Sequence, residues 1–380
     1  MKLFEYQAKD VFRENNIKIP QSYLIDSVES LEDGLKEIGV PCALKSQVLR
    51  GGRGKAGLIP LVKTNEEARS EVARLLASEH NVSKILVEEM ISIEKELYLS
   101  ITVDAKKATA LVIACVEGGV DIETLAVDSP EKIMFEEVDI IAGIQPFQCK
   151  NIAYGLSKDK NIVSQLSKMI YNLYQVFDKY DAELVEINPV FITTEGNVIA
   201  GDGKLSIDDN SMYRQKKYEM TREYFDSDME FEAALEGIPY IQFDGDISLM
   251  CAGAGLTTTV YDLINYADGS VANYLEFGGP NYRKAEEAMR LCLKNDSKVI
   301  LIVTFGTIAR ADVMADGIVA AIKKLQPDRP IITCIRGTNE IEATKTLKAA
   351  GLECLYDTED AVKRAVEISK ASTSSNGGAR

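Results

Sequence analysis

At 380 residues the chain is too long for one ordinary core, and two domains are the natural expectation. Apolar residues make up 46%, enough for packed cores and against extended disorder. A formal charge of −16 argues against a general nucleic-acid-binding face, and the longest apolar run, 110–116, is far too short to span a bilayer.

Charged residues recur at Lys9, Asp10, Arg13 and Glu14 before any apolar stretch develops, so no leader is expected. The seven cysteines are scattered and never spaced C-x-x-C, which fits reduced thiols in a cytoplasmic protein rather than a disulfide framework or a zinc site. The single histidine, His80, stands in a polar stretch and reads as a surface loop residue.

In chain order, residues 5–15 predict a short amphipathic helix, 23–25 a strand, 28–38 a helix and 42–45 a strand. That strand opens the stretch Lys45-Ser46-Gln47-Val48-Leu49-Arg50-Gly51-Gly52-Arg53-Gly54-Lys55-Ala56-Gly57, with four cations, four glycines and no acid among thirteen residues. Glycines let a backbone approach a ligand closely, and Lys and Arg supply countercharge, so the stretch fits a nucleoside triphosphate's phosphates. It also fits a solvated basic hairpin tip, since 58–62 reads as the returning strand. Thr64-x-x-Glu67 is a capping box opening a helix to about residue 77. Strands follow at 84–88, 96–103 and 108–116, then a long helix over 162–179.

Strands over 184–192 and 198–205, joined by Glu195-Gly196-Asn197, read as a hairpin. Period-2 geometry puts Glu186 and Asn188 on one face and brings Asp202 roughly opposite Asn188. Few oxygen ligands, completed by water and phosphate, are what Mg²⁺ takes in nucleotide sites, although a plain polar hairpin face would look the same. Residues 207–239 read as a polar connector. Beyond them strands near 247–251, 272–277, 298–303, 330–335 and 353–356 alternate with helices, the pattern of a doubly wound parallel α/β domain. Small-residue loops end three of these strands at Gly253-Ala254-Gly255, Gly278-Gly279-Pro280 and Gly306-Thr307. Ligands bind outside the carboxyl ends of such strands, though each loop taken singly also fits a tight turn. Residues 371–380 read as a frayed tail.

The chain resembles the β subunit of succinyl-CoA synthetase and related nucleoside-diphosphate-forming acyl-CoA synthetases over nearly its whole length. The resemblance is carried by Phe4-Glu5-Tyr6-Gln7-Ala8-Lys9, the loop 51–57, Lys95-Glu96-Leu97-Tyr98-Leu99, Glu117-Gly118-Gly119-Val120, Glu186-Ile187-Asn188-Pro189 and Asp202-Gly203-Lys204. It implies an ATP-grasp domain over 1–238, then a flavodoxin-like CoA-ligase domain over 239–370. It also implies an acid–thiol ligase using ATP (or GTP), Mg²⁺ and CoA. Lys45 and Gly52-Arg53-Gly54 would hold the phosphates, with Arg53 also acting in catalysis. Glu88 would sit at the adenine hinge and Glu96 at the ribose. Asn188 and Asp202 would hold Mg²⁺, and Glu186 would orient a phosphorylated histidine. No residue here fits as that histidine, so it and most of the CoA site would lie on a separate α subunit.

The acid would lie against Ala252, Gly253, Gly279, Gly306, Thr307, Ile308 and Ala309. Succinate-specific relatives are expected to carry Asn at position 252, glycine at 280 and glycine at 307, where this chain has Ala252, Pro280 and Thr307. The acid is therefore expected to be succinate or another small dianion such as malate or sulfoacetate. Two other readings stay open at this stage: a stand-alone ATP-grasp carboxylate–amine ligase, and a silent nucleotide-binding partner subunit.

Overall fold

The computed structural model describes residues 1–49, 51–120, 122–278, 283–306 and 309–376, without the side chains of 372–376. Its contacts divide into two units, Met1–Met220 and Thr221–Arg380.

The first unit runs α1 (Glu5–Glu14), β1 (Ser22–Ile25), α2 (Leu31–Ile38), β2 (Cys42–Ser46), β3 (Leu61–Val62), α3 (Asn65–Leu76) and β4 (Ile85–Glu89). It continues with β5 (Ile93–Asp104), β6 (Thr109–Cys115), α4 (Ile122–Asp128), β7 (Ile133–Val138), α5 (Pro146–Leu156) and α6 (Lys160–Lys179). It closes with β8 (Ala182–Thr193), β9 (Val198–Ala200) and β10 (Lys204–Ile207). Two antiparallel sheets result. One has the order β1-β4-β2-β3; the other has β10-β8-β5-β6-β7, with β9 also on β8.

Each sheet buries one face under helices. In the smaller sheet Leu44, Ile85 and Val87 pack with Leu31 of α2 and Val72 and Leu75 of α3. In the larger, Leu97, Leu99, Ile101, Val185 and Ile187 meet Val11 and Phe12 of α1 and the 162–177 stripe of α6. That stripe keeps helical spacing, and α6 starts on an Asp159 cap whose carboxylate accepts from the Asn161 and Ile162 amides.

Two strands depart from the sequence reading. The return at 58–62 is a regular strand only over Leu61–Val62, because Pro60 has no amide to donate. The hairpin survives, since the Leu44 and Ser46 amides still donate to the Pro60 and Leu58 carbonyls. The strand expected over 198–205 breaks into β9 and β10 at Gly201-Asp202-Gly203. A Cβ at Gly201 would stand 2.3 Å from the Phe191 ring, and one at Gly203 2.7 Å from the Phe12 ring. Only glycine fits against those rings, and Asp202 is presented between them.

The second unit runs α7 (Asp228–Leu235), β11 (Tyr240–Gln242), β12 (Ile247–Ala252), α8 (Ala254–Tyr266), β13 (Val271–Leu275) and α9 (Ala285–Leu293). It continues with β14 (Val299–Gly306), α10 (Ala311–Leu325), β15 (Ile331–Gly337), α11 (Glu340–Ala349), β16 (Glu353–Cys354) and α12 (Thr358–Asn376). The sheet order is β11-β13-β12-β14-β15-β16. β12 to β16 are parallel and follow the flavodoxin-like 2-1-3-4-5 order, while β11 adds an antiparallel edge. Strands buried on both faces read as continuous apolar runs, and Val299 to Val303 alternate between two cores.

Residues 221–238, expected to belong with the first domain, supply α7 and the buried Ala233 and Ile238 to this second unit. Part of the expected connector is therefore core-forming. The expected tail is helical as far as Asn376. Among the described residues no helix is long and apolar enough to cross a membrane.

Candidate functional site

The first turns of α1 place Glu5 and Lys9 four residues apart, on one face. Both are buried, Lys9 to 1% exposure. They meet Lys45 of β2, Glu88 of β4, Arg53 of the glycine loop and Asp202 of the β9–β10 break in one ion cluster of three cations and three anions. Lys9 lies 2.8 Å from Glu5 Oε1 and also contacts Glu88. Lys45 Nζ stands 3.0 Å from Glu5 Oε1 and 2.7 Å from Glu88 Oε1, and donates to the Gly201 carbonyl at 2.8 Å. Arg53 spans Glu5 Oε2 at 2.6 Å and both Asp202 oxygens at 3.0 Å.

Burying charges is costly unless each is compensated, and the alternation of signs here supplies that compensation. Burial alone would raise the Glu5 carboxyl, but Lys45, Lys9 and Arg53 hold it well below the ordinary value. Burial would lower Lys45 and Arg53, yet the facing carboxylates push both upward. Asp202 differs: enclosure and the charge of Glu5 raise it, against Arg53 and Lys45. Its side chain keeps 32% of its surface exposed, so the cluster opens to solvent at Asp202.

In the glycine loop, Gly52 has φ 75° and a Cβ there would meet nothing within 4 Å, so backbone conformation is what requires glycine at this position. Gly54 has ordinary backbone and equally open surroundings. The loop folds back through the Ala56 amide on the Gly52 carbonyl and the Leu58 amide on the Arg53 carbonyl.

Beside this cluster, β8 pairs Val190 with Ala200 and Glu186 with Lys204, which brackets Asn188 and Asp202 at the same register. β8 bulges against β5 between these points. Asn188 clips the Gly118-Gly119-Val120 turn, accepting from the Gly119 amide at 2.8 Å and donating to the Val120 carbonyl at 3.1 Å. The turn lies on β5 next to Glu96, whose carbonyl accepts from the Gly118 amide. Glu186 takes a hydrogen bond from the Tyr98 hydroxyl at 3.1 Å. Burial raises its carboxyl, with Lys204 and Tyr98 pulling the other way. Burial also raises the Tyr98 phenol, reinforced by the charge of Glu186.

Lys45, Arg53, Glu88 and Asp202 are thus brought together. Asn188 and Glu96 share one glycine turn, and Glu186 has Tyr98 as its partner. Glu88, expected at a hinge, turns its carboxylate into the cation cluster. Among the described residues no three His, Cys, Asp or Glu side chains gather as a metal-holding group. Asn188 and Asp202 are the hard oxygen donors the structure brings to one register.

In the second unit, Ala252 and Gly253 lead from β12 into α8, Gly253 with φ 101°. A Cβ at Gly278 would stand 2.7 Å from the Gly253 amide nitrogen, and one at Gly306 2.3 Å from the Ala309 carbonyl oxygen. The loops after β12 and β13 thus approach backbone on backbone, while Gly306 at the end of β14 closes on Ala309 a few residues further along the chain. Gly279, Pro280, Thr307 and Ile308 lie outside the described residues. Thr304 stands beside Ala252 in the parallel register, its buried hydroxyl unpartnered among the described residues. Glu5, Lys9, Tyr98 and Thr304 were not singled out from the sequence as functional residues. The i,i+4 spacing of Glu5 and Lys9 was visible there, but their other partners, Lys45, Arg53 and Glu88, lie 40 to 79 residues along the chain.

The ATP-grasp domain family matches residues 2–192 and the CoA-ligase family residues 250–368. An ADP-forming sulfoacetate–CoA ligase subunit of Bilophila wadsworthia is 58% identical over 368 residues, 97% of this chain and 99% of that protein. The β subunit of an ADP-forming succinate–CoA ligase of Methanothermobacter thermautotrophicus is 38% identical over 375 residues, 97% of this chain and all of that protein. A solved ATP citrate lyase of Methanothrix soehngenii, in complex with citrate and coenzyme A, shares the fold, with a TM-score of 0.78 at 21% identity over 96% of this chain and 99% of its own.

Proposed function

Because the chain belongs to the family of ADP-forming acid–CoA ligase subunits, in which an ATP-grasp domain precedes a CoA-ligase domain, we propose that it is the nucleotide-binding β subunit of an acid–thiol ligase, with sulfoacetate as the acid. The observation that carries the nucleotide role is the pair Lys45 and Arg53, each 11% exposed in side chain and converging on one opening at Asp202.

In this reading Lys45 and the loop Gly52-Arg53-Gly54 bind the phosphates of ATP. Glu88 acts through Lys45, whose ammonium it fixes, and Glu96 meets the ribose from β5. Asn188 and Asp202 would hold Mg²⁺; a carboxylate and an amide oxygen are donors this ion accepts, and Asp202 is open enough to reach it. Bound there, the ion supplies neutralising charge to the phosphates. Glu186, held by Tyr98, orients the imidazole that receives the phosphoryl group.

That imidazole comes from an α subunit. His80 is this chain's one histidine and lies in the turn after α3. The acid would take the phosphoryl group from the partner's phosphohistidine, and CoA, bound mainly by the partner, would displace phosphate from the resulting acyl phosphate to leave acyl-CoA. The seven unpaired cysteines support a reducing, cytoplasmic setting. Sulfoacetate is favoured over succinate by the 58% against 38% identities and by Ala252, which offers no amide to a substrate carboxylate. The match to a CoA-ligase domain speaks against a stand-alone carboxylate–amine ligase, and the retained cation set against a silent subunit.

The test is co-purification with the α subunit, followed by CoA-dependent ADP release with sulfoacetate, succinate and malate. Sulfoacetate should give the highest kcat/KM. Turnover by the isolated chain, or preference for succinate, would overturn the corresponding half of the reading.

A further inference from the structure

Glu5 and Lys9 belong to neither the glycine loop nor the Asn188–Asp202 pair, yet they stand at the centre of the ion cluster. One oxygen of Glu5 lies 3.0 Å from Lys45 and the other 2.6 Å from Arg53. A carboxylate bridging two cations with two oxygens makes the charge-assisted contacts that phosphate oxygens would make. Lys9 reaches two anions, Glu5 and Glu88, and is sealed from solvent at 1% exposure. It is placed to keep both carboxylates compensated if Lys45 and Arg53 turn to another anion.

We propose that Glu5 is an internal counter-anion that competes with the phosphates of the nucleotide for Lys45 and Arg53, and that Lys9 sets the strength of that competition by holding Glu5 and Glu88. The inference rests on the nucleotide-site reading above. Both are positioning residues: Glu5 acts on the nucleotide through Lys45 and Arg53, and Lys9 acts through the two carboxylates. The cluster is neutral as folded, with Lys9, Lys45 and Arg53 against Glu5, Glu88 and Asp202. An arriving triphosphate adds several negative charges, so part of its binding energy goes into displacing Glu5. The arrangement therefore weakens nucleotide affinity while keeping two buried cations from repelling each other in the free chain.

Substitutions that change the cluster charge one unit at a time test this. Glu5→Gln leaves the cluster at +1 and should tighten ATP binding about tenfold, whereas Lys9→Met leaves it at −1 and should weaken binding about tenfold. The double substitution restores neutrality and should return the Kd to within about twofold of wild type, on the same Coulombic reasoning. Binding is measured by calorimetry on the full chain, with ATP alone and with ATP and Mg²⁺, alongside Tm for each variant. A wild-type chain that binds no ATP sinks the nucleotide-site reading itself. A wild-type chain that binds ATP, with Glu5→Gln binding it equally or more weakly, overturns this inference alone. A merely structural role lowers Tm and weakens ATP binding in all three variants, rather than ordering affinity by charge. If Glu5→Gln does not fold, Glu5→Asp decides. It keeps the charge but shortens the reach, so tighter ATP binding supports the competition and unchanged or weaker binding overturns it.

Discussion

Glu186 shows how a single carboxylate can serve the proposed chemistry at a cost to stability. Burial raises its carboxyl, offset in part by Lys204 and the Tyr98 hydroxyl. A native chain that holds this proton more tightly than the unfolded chain loses stability as pH rises from the ordinary carboxylate value through the raised one. Glu186→Gln should therefore raise Tm at pH 8 by about a degree or two and leave it unchanged near pH 4. It should at the same time slow single-turnover labelling of the partner subunit, because an amide stabilises an imidazolium poorly. An equal Tm gain at both pH values would remove the charge as its cause. For Asp202 the expectation is simpler. Asp202→Ala should cut phosphoryl transfer from Mg-ATP about a hundredfold or more, read with radiolabelled ATP in the complex. Wild-type labelling would take Asp202 out of the metal set.

At the level of elements, the Gly118-Gly119 turn and the 51–57 loop of the first unit carry glycine for different reasons. The turn clipped by Asn188 packs on a strand: a Cβ at Gly118 would stand 2.3 Å from the Leu97 carbonyl oxygen and 2.8 Å from the Leu97 nitrogen. Backbone atoms of a central strand cannot give way, so Gly118→Ala should lift the turn from β5 and cost about 1–3 kcal/mol of stability. It should also loosen Asn188. In the 51–57 loop a Cβ at Gly54 meets nothing within 4 Å. Gly54→Ala should leave Tm within about a degree of wild type, as surface changes free of strain do, so any loss of ATP affinity would report ligand approach. Equal Tm losses for the two variants would remove this distinction.

For the whole protein, the proposed function assigns acid choice and nucleotide chemistry to different parts of the chain. Ala252→Asn combined with Thr307→Gly should move kcat/KM toward succinate roughly ten- to a hundredfold, the worth of a hydrogen bond to a charged group. The KM for ATP should not change, because Lys45, Arg53 and Asp202 belong to the other compact unit. Competition assays with sulfoacetate and succinate in the assembled complex measure this. A shift in the KM for ATP would show the two functions to be coupled.

Local pattern and turn chemistry were enough for the long elements: the α6 stripe, the Thr64 cap whose hydroxyl accepts the Glu67 amide, the β8 hairpin, and the strand–helix alternation after residue 246. The cation- and glycine-rich composition of 45–57 and the opposition of Asn188 and Asp202 were legible for the same reason, since both arise from residues close in sequence or from a fixed two-residue period. Tertiary structure alone decided the break of the expected strand at Gly201-Asp202-Gly203, because its cause is the Phe12 and Phe191 rings pressing from other elements. It likewise decided that residues 221–238 belong with the second core, where an acidic helix is retained for its single buried face at Ala233. The ion cluster is the sharpest case. Glu5, Lys9, Lys45, Arg53, Glu88 and Asp202 come from three elements and two loops, and a charge in a sequence carries no sign of whether it will be solvated or compensated. Only packing removes the water, and only then does each buried charge require the particular partner it has.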